Sequence, residues 1–208
     1  MLIQRKKLSN NSLIGIWQIS ETEEQLLKLL NDPAQALNLL NPISNALKRC
    51  EKLAVRALLK ALLGEEKTIV YNESGKPFIE DNSFKISISH TDGFATVMIH
   101  PSQEVGIDIE IVSGRAAQLQ KRFLNTSELL LIHQKDDFVV PLLLWTAKEA
   151  LYKWTSNPNI DFVKQISIID IDQKKHQMWG MVQGVTKPVI LSFEINENYV
   201  LTYVIAVE

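Results

Sequence analysis

The amino-acid sequence predicts an α+β fold, because helix-type and strand-type patterns both occur along the chain and neither dominates. Apolar residues recur at helical spacing from Ser44 to Gly64 and from about Val140 to Trp154, whereas apolar and polar residues alternate in residues 84–89 and 105–110. The 208 residues correspond to one domain or to two small, closely packed halves. With 46% hydrophobic and 22% charged residues, the chain can bury a core and is not predicted to be disordered.

The first half of the chain is predicted to open with a strand from Leu13 to Ile19. Ser20 and Glu23 then form a capping-box pattern, which predicts a helix directly after this strand. A longer helix follows from Ser44 to Gly64. Its predicted buried stripe consists of Leu47, Cys50, Ala54, Ala57, Leu58 and Ala61.

Strand patterns dominate the middle of the chain. Residues 84–89 and 94–99 predict a hairpin with a turn at Asp92 and Gly93. Residues 105–110 form a further alternating run, which predicts a third strand.

Helical patterns return in the second half, from about Arg115 to Gln134 and from about Val140 to Trp154. Pro141 is compatible with the second of these helices, because it lies in the first turn. Three or four strands are predicted from Ile166 to Val207.

Charge and cysteine content exclude several partners and compartments. The 22 Lys and Arg residues against 24 Asp and Glu residues give a net charge of -2, so we expect neither nucleic acid nor an anionic membrane as a partner. The single cysteine, Cys50, cannot form an internal disulfide and fits the reducing cytoplasm. Polar residues from Ser9 to Ser12 interrupt any signal peptide, and the longest largely apolar run, Phe138 to Trp145, is far shorter than the roughly 18 residues of a membrane span. We therefore expect a soluble, cytoplasmic protein.

Two acidic residues stand two positions apart in the third predicted strand. Asp108 and Glu110 project from the same face with α-carbons about 6.5 Å apart, so that two oxygen donors can converge on one cation. The alternative is a solvated strand face, since alternation alone produces such pairs. The pair interrupts an apolar strand beside Gly106, whose missing side chain is predicted to leave room for a ligand.

The second long helix of the later half is strongly apolar and has a narrow polar face. Glu149 and Lys153 are four residues apart and share this face, although such a pair is also a common stabiliser of exposed helices. A third carboxylate beside a lysine would suit a metal-bridged phosphate site. The predicted polar face consists of Trp145, Lys148, Glu149 and Lys153.

Three further features could bind a ligand. Ser89 and His90 end a strand before a turn, where side chains can meet a ligand, but their adjacency in sequence is no evidence for a nucleophile and its base. Lys76 lies in a Gly-Lys-Pro turn, which is otherwise typical of a solvated turn. The first long helix carries a basic ridge, either a solvated face or a phosphate-binding surface, formed by Arg49, Lys52, Arg56 and Lys60.

Four motifs follow one another in the order G-K-P, I-S-H, G-I-D-I-E and W-T-A-K-E-A-L-Y-K. This ordered set resembles the 4′-phosphopantetheinyl transferases, in particular the longer single-chain type that activates surfactin synthetase. The combination of G-I-D-I-E with W-x-x-K-E-x-x-x-K is highly specific, whereas neither motif alone would be. The resemblance covers Gly75 to Lys153 clearly.

The resemblance implies a chain of two similar halves, residues 1–102 and 103–208, each with a small, mainly antiparallel sheet packed on a long helix. The halves would be related by a pseudo-twofold axis, with the active site in the cleft between them. It further implies that the chain transfers the 4′-phosphopantetheine arm of coenzyme A to a serine of an apo acyl or peptidyl carrier protein and releases adenosine 3′,5′-bisphosphate. Such carriers serve fatty-acid, polyketide or nonribosomal peptide synthesis, and the implied enzyme is a monomer. Two alternatives stay open: a non-catalytic homologue that binds carrier protein or nucleotide, and a metal-dependent phosphohydrolase.

The resemblance also implies roles for individual residues. Asp108, Glu110 and Glu149 resemble the acids that hold Mg²⁺ against the pyrophosphate of coenzyme A, and Lys153 resembles a lysine that neutralises phosphate charge. Glu128 resembles a further acid that assists the acceptor proton. The expected contacts to coenzyme A are Lys76, Ser89 and His90, together with Arg49, Lys52 and Arg56 for the nucleotide phosphates.

Overall fold

This computed structural model describes residues 1–135 and 139–207. They contain both helices and antiparallel sheets, so the predicted α+β fold is confirmed. The chain divides into two units, Met1–Gln103 and Glu104–Glu208. Phe138, the predicted start of the longest apolar run, lies outside the described residues. Among the helices in the described ranges, none has the length and apolar character that crossing a bilayer requires. The position of the active site between two halves stays a prediction.

The first unit has a four-stranded antiparallel sheet and a long helix. In chain order its elements are β1 (Leu2–Lys7), β2 (Leu13–Gln18), α1 (Glu23–Leu27), α2 (Pro33–Leu40), α3 (Ala46–Leu63), β3 (Ile69–Tyr71), β4 (Pro77–Ile79), β5 (Lys85–Thr91) and β6 (Phe94–His100). The sheet has the strand order β1-β2-β6-β5, and β3 pairs with β4 in a separate ribbon. The predicted hairpin is confirmed as β5 and β6. Strand β1 was not predicted, because only alternate positions of this charged segment are half-buried.

Helix α3 begins and ends at residues that cap it. The Asn45 side chain accepts a hydrogen bond from the backbone N–H of Lys48 at 3.1 Å, and Gly64 ends the helix in the left-handed conformation with φ of 77°. The helix packs against α1, β2 and β6, so its buried surface is broader than one stripe. Its buried residues are Leu53, Ala54, Val55, Ala57, Leu58, Leu59 and Leu62. The predicted stripe was wrong at Leu47 and Ala61, which are exposed, because packing on more than one side shifts the buried arc.

The second unit has a five-stranded antiparallel sheet with the strand order β7-β11-β10-β9-β8. In chain order its elements are β7 (Ile107–Ile111), α4 (Arg115–Leu119), α5 (Thr126–Lys135), α6 (Val140–Thr155), β8 (Ile166–Asp172), β9 (Gln177–Val182), β10 (Val189–Ile195) and β11 (Tyr199–Val207). Helix α6 packs against β7 and β11 and also contacts β8 and β9. The core of this unit therefore lies between α6 and the sheet, with Leu143, Leu151 and Leu191 fully buried.

Gly106 precedes β7 and marks a close approach of this strand to α6. A Cβ atom at this position would lie 2.0 Å from the carbonyl oxygen of Ala150 and 2.8 Å from Cβ of Trp154. The predicted ligand space at Gly106 is therefore wrong, because the backbone of α6 fills it. The glycine instead allows the helix to lie directly against β7.

Candidate active site

Strand β7 and helix α6 bring the predicted acids of the second unit near one another. Nζ of Lys153 donates a hydrogen bond to Oδ1 of Asp108 at 2.7 Å, and Nε1 of Trp145 donates to Oε1 of Glu110 at 3.2 Å. Glu149 lies four residues from each of these helix residues, about one turn away in either direction. The carboxylates of β7 and the carboxylate of α6 therefore share one side of the helix.

Glu149 titrates abnormally in these surroundings. Burial, and after it the charge of Asp108, raises the pKa of Glu149 from 4.5 to about 7, with a smaller contribution from Glu110. Lys153 acts in the opposite direction but does not cancel the increase. The site therefore carries more negative charge than its one lysine offsets.

Asp108 and Lys153 form the inner part of the site. Asp108 is only 3% exposed, whereas a quarter of the Lys153 side chain is exposed. Besides its bond to Asp108, Nζ of Lys153 donates to the carbonyl oxygen of Ile107 at 3.2 Å. An ammonium group has three N–H donors. Within the described residues two of them are used, and the third can serve a bound anion.

Aromatic rings hold Trp145 in place. The Trp145 ring meets Phe123 edge to face at a centroid distance of 5.0 Å and stacks on Phe162 at 6.0 Å. This packing orients the indole N–H toward Glu110. Trp145 therefore contributes a fixed hydrogen-bond donor to one of the predicted metal ligands.

The acids are not arranged as a closed metal centre. Within residues 1–135 and 139–207, no group of three or more His, Cys, Asp and Glu side chains has an arrangement that could hold a metal ion. The donors are nonetheless hard carboxylate oxygens, the type that Mg²⁺ prefers. Burial and the Asp108 charge both raise the pKa of Glu149, and a nearby cation would favour its ionised form. The chemistry of the site thus fits Mg²⁺, and in the present geometry Lys153 neutralises only part of the negative charge.

Glu128 lies away from solvent and has a different set of partners. Its Oε2 accepts from Nζ of Lys148 at 2.7 Å and from the backbone N–H of Asn125 at 2.8 Å, and its Oε1 accepts from the backbone N–H of Ile168 at 2.8 Å. Both Glu128 and Lys148 are fully buried. Burial lowers the pKa of Lys148, which the Glu128 charge opposes. The catalytic role of Glu128 stays a prediction, but its observed contacts are those of a structural ion pair.

Lys148 does not belong to the polar face that was predicted for α6. Its Nζ donates to Glu128 and to the carbonyl oxygen of Phe123 at 2.7 Å, inside the core. Successive helix residues are about 100° apart. The side chain of Lys148 therefore leaves the helix in a different direction from that of Glu149.

The predicted contacts to coenzyme A in β3–β5 all belong to the first unit. Lys76 lies in the turn between β3 and β4, where its backbone N–H donates to Oδ1 of Asn72 at 2.9 Å. Ser89 is buried within β5, and the exposed ring of His90 lies 3.1 Å from Oε2 of Glu51 on α3. These residues are held by their own unit, and their part in ligand binding stays a prediction.

The residues of the basic ridge on α3 make different kinds of contact. Arg49 pairs with Glu23 and donates to the carbonyl oxygens of Leu40 and Ile43, so it ties α1 and α2 to α3. Lys52 lies 4.4 Å from the centroid of the Tyr71 ring.

Arg56 is the more buried cation of the same ridge. Burial lowers the pKa of its guanidinium, which lines a cavity of about 200 Å³ between α2 and the residues after α3. Glu66 and Thr68 line the same cavity. Arg56 and Lys52 therefore keep donors that a ligand could use, whereas Arg49 is committed to structural contacts.

Sequence reasoning missed two threonines behind the site. The Thr146 and Thr202 hydroxyls lie 2.8 Å apart and are fully buried, and Thr202 on β11 pairs directly with Asp108 on β7. They join α6 to the sheet beneath the acids. The available signal was a threonine among hydrophobic neighbours, between Trp145 and Ala147 on α6 and between Leu201 and Tyr203 on β11.

The family to which this site belongs can be stated from the sequence of the second unit. Residues 104–204 match the family model of the 4′-phosphopantetheinyl transferase superfamily. The predicted resemblance to this superfamily is confirmed for the second unit, which contains the strand and the helix that carry the acids. The long single-chain type stays a prediction.

Two individual relatives agree with this assignment. Both are named 4′-phosphopantetheinyl transferase AcpT, one from Escherichia coli O157:H7 and one from Escherichia coli strain K12, and each is 31% identical over 107 residues. The alignment covers 49% of this chain and 55% of the relative, so the chain spans about half the length of the curated relatives it matches.

Proposed function

We propose that the chain transfers the 4′-phosphopantetheine arm of coenzyme A to a serine of an apo acyl or peptidyl carrier protein. The observation that carries the proposal is the set of acids on β7 and α6 beside a partly exposed lysine, in which burial and then the Asp108 charge raise the pKa of Glu149 to about 7. Excess negative charge next to a cationic donor suits a divalent ion and a pyrophosphate. The membership of residues 104–204 in the superfamily supports the same activity.

Asp108, Glu110 and Glu149 would hold Mg²⁺ in this function. When bound, the ion would supply electrostatic stabilisation of the charge that develops on the pyrophosphate. Trp145 keeps Glu110 oriented through its indole N–H, and the buried side of Asp108 limits its motion. These residues thus prepare the oxygen donors before the substrate arrives.

Lys153 would act on the substrate itself. Its third N–H can donate to a phosphate oxygen while the other two keep the ammonium beside Asp108 and the carbonyl of Ile107. A fixed cation at this point stabilises a leaving phosphate whose negative charge grows. The proposed contacts of the first unit to coenzyme A are Lys76, Ser89 and His90, with Lys52 and Arg56 for the nucleotide phosphates.

The reaction balances without a nucleophile from this chain. The serine oxygen of the carrier forms a bond to the phosphorus that bears pantetheine, and the bond from that phosphorus to the bridging oxygen of the pyrophosphate breaks. Adenosine 3′,5′-bisphosphate leaves with the bonding electron pair. The serine proton passes to solvent or to a base of the complex.

The finer attributes of the enzyme belong to the same proposal. We expect a monomer of the long single-chain type that works in a reducing cytoplasm on carriers of fatty-acid, polyketide or nonribosomal peptide synthesis. The even charge balance and the single half-buried cysteine agree with this setting.

The decisive experiment is incubation of the chain with coenzyme A, Mg²⁺ and apo carrier proteins, followed by intact-mass measurement of the carrier. We expect the mass gain of one phosphopantetheine group. Asp108→Ala and Glu149→Ala should each lower the rate at least about 100-fold, because each removes a charge that orients the metal and substrate.

A matched acidic control is Glu197→Ala. Glu197 is exposed in the turn before β11, outside the site, so its removal should leave the rate unchanged. Full activity of folded Asp108→Ala and Glu149→Ala would contradict the proposal. Breakdown of coenzyme A without any carrier would instead indicate a phosphohydrolase.

A further inference from the structure

A buried ion pair connects the helix of the candidate active site to three other segments. Lys148 of α6 binds Glu128 of α5 and the carbonyl oxygen of Phe123, both at 2.7 Å. Glu128 in turn accepts from the backbone N–H of Asn125, just before α5, and from that of Ile168 in β8. We call Glu128 and Lys148 together the buried clamp.

The Glu128 carboxylate of the buried clamp accepts three hydrogen bonds. Oε1 and Oε2 of Glu128 both have backbone N–H partners, and Oε2 also has the ammonium of Lys148. Neither side chain has exposed surface. A group that exchanges protons with a substrate needs a path to it, and the Glu128 carboxylate is enclosed by its protein partners.

The buried clamp acts on the same helix that carries Glu149. Lys148 and Glu149 are adjacent in sequence, so a fixed direction of the Lys148 side chain fixes the rotation of α6 about its own axis. Rotation of the helix would swing Glu149 relative to Asp108 and Glu110 on β7. At Gly106 the backbone of α6 lies so close to the strand that the helix cannot move inward to compensate.

We propose that Glu128 and Lys148 are positioning residues that set the orientation of Glu149 for magnesium binding. The inference rests on the proposed function, because it concerns the same acids. It assigns to Glu128 a role through α6 and not a direct role in proton transfer.

The test compares Glu128→Gln, Lys148→Met and the double variant by two measurements. Calorimetry with Mg²⁺ in the presence of coenzyme A reports metal affinity, and carrier modification reports kcat and the KM for the carrier. We expect each single variant to weaken magnesium binding about 10- to 100-fold, as loss of supporting contacts does in metal sites. The KM for the carrier should not change, and the double variant should lose no more than either single variant.

The double variant also guards against misfolding. It removes both buried charges and keeps similar side-chain volumes, so it should fold even where Lys148→Met alone does not. The matched control is Lys175→Met, which removes a lysine 3.6 Å from Asp172 in an exposed pair and should leave both measurements unchanged.

Two results would overturn the inference. Folded clamp variants that bind magnesium and turn over like the wild type would show a merely structural pair. Alternatively, if Glu128→Gln abolished turnover at saturating Mg²⁺ and removed one limb of the pH profile, while Lys148→Met did neither, Glu128 would be a catalytic acid or base.

Failure of the proposed function has a different signature. A wild-type chain that binds Mg²⁺ and coenzyme A but modifies no carrier would refute the proposed activity, and the calorimetric comparison would still decide the role of the clamp. A wild-type chain that binds no magnesium would refute both.

Discussion

Helix α6 carries two lysine–carboxylate pairs that have the same length and different surroundings. Lys148 and Glu128 are 2.7 Å apart and fully buried, and Lys153 and Asp108 are also 2.7 Å apart, but a quarter of the Lys153 side chain is exposed. The buried pair has further hydrogen bonds from backbone groups on both oxygens of its carboxylate. Distance alone therefore does not separate a structural ion pair from a candidate binding site.

The two pairs differ in whether their charged groups can bind a further partner. Removing a charge from water is costly, and a fully buried pair is stable only when hydrogen bonds satisfy it completely. Such a pair cannot exchange partners without unfolding its surroundings. The Lys153–Asp108 pair is exposed on its lysine side, where Lys153 keeps a donor for the phosphate that we propose it binds.

The largest difference between the two pairs is expected in the free energy of unfolding after the lysine of each pair is removed. Lys148→Met leaves the Glu128 carboxylate buried without a counter-charge and should lower the free energy of unfolding by about 3–5 kcal/mol. Lys153→Met should lower it less, by about 1–2 kcal/mol, because the Lys153 side chain is already a quarter exposed and its pair with Asp108 is only partly removed from water. Urea denaturation monitored by tryptophan fluorescence measures both values.

The double variant Glu128→Gln/Lys148→Met tests whether the unpaired buried charge causes the loss of stability in Lys148→Met. Because no unpaired charge stays buried, it should recover part of the stability that Lys148→Met loses, since a glutamine still offers one acceptor oxygen to the backbone N–H groups that Glu128 binds. Equal losses for Lys148→Met and Lys153→Met would contradict the distinction between a buried and an open pair.

The pH dependence of stability should single out the open site. Burial and the neighbouring carboxylates raise the pKa of Glu149 from 4.5 to about 7. Between these values the folded chain holds a proton that the unfolded chain releases, so the free energy of unfolding falls as the pH rises. The loss should reach at most about 3 kcal/mol above pH 7, at about 1.36 kcal/mol per pKa unit.

Glu149→Gln provides the reference for this measurement. The variant cannot ionise at this position. In urea denaturation without divalent ions, its free energy of unfolding should therefore rise relative to that of the wild type from about pH 5 to about pH 8. Mg²⁺ with coenzyme A should restore the wild type at the upper end of this range. Parallel stability curves for the two proteins would argue against a strained carboxylate in the site.

The open pair could be predicted from the sequence to a large extent. Asp108 and Glu110 stand out because they interrupt an apolar strand, and Glu149 and Lys153 because a four-residue spacing places them on one face of a helix. These are local signals. That the strand lies beside the helix could be predicted only from the resemblance to a known family. The apolar pattern of a segment does not reveal which distant segment it contacts.

The buried clamp could not be predicted in this way. Lys148 was assigned to the polar face of α6, although it does not share the four-residue spacing of Trp145, Glu149 and Lys153. Its burial depends on Glu128, twenty residues away along the chain, and on backbone groups of β8. A charged residue in the core is stabilised by partners that only the folded chain brings together.

The contact between β7 and α6 offers a milder way to disturb one pair and spare the other. At Gly106 an added Cβ would lie 2.0 Å from the carbonyl oxygen of Ala150, so Gly106→Ala must push the strand and the helix apart. We expect a loss of about 1–3 kcal/mol in the free energy of unfolding.

Gly114→Ala is the matched control, because nothing lies within 4 Å of an added Cβ there. Since Gly106 adjoins the strand of Asp108 and not the segments that hold Lys148, the variant should also lower carrier modification at limiting Mg²⁺. Unchanged stability and activity in Gly106→Ala would mean that the close approach of strand and helix does not position the site.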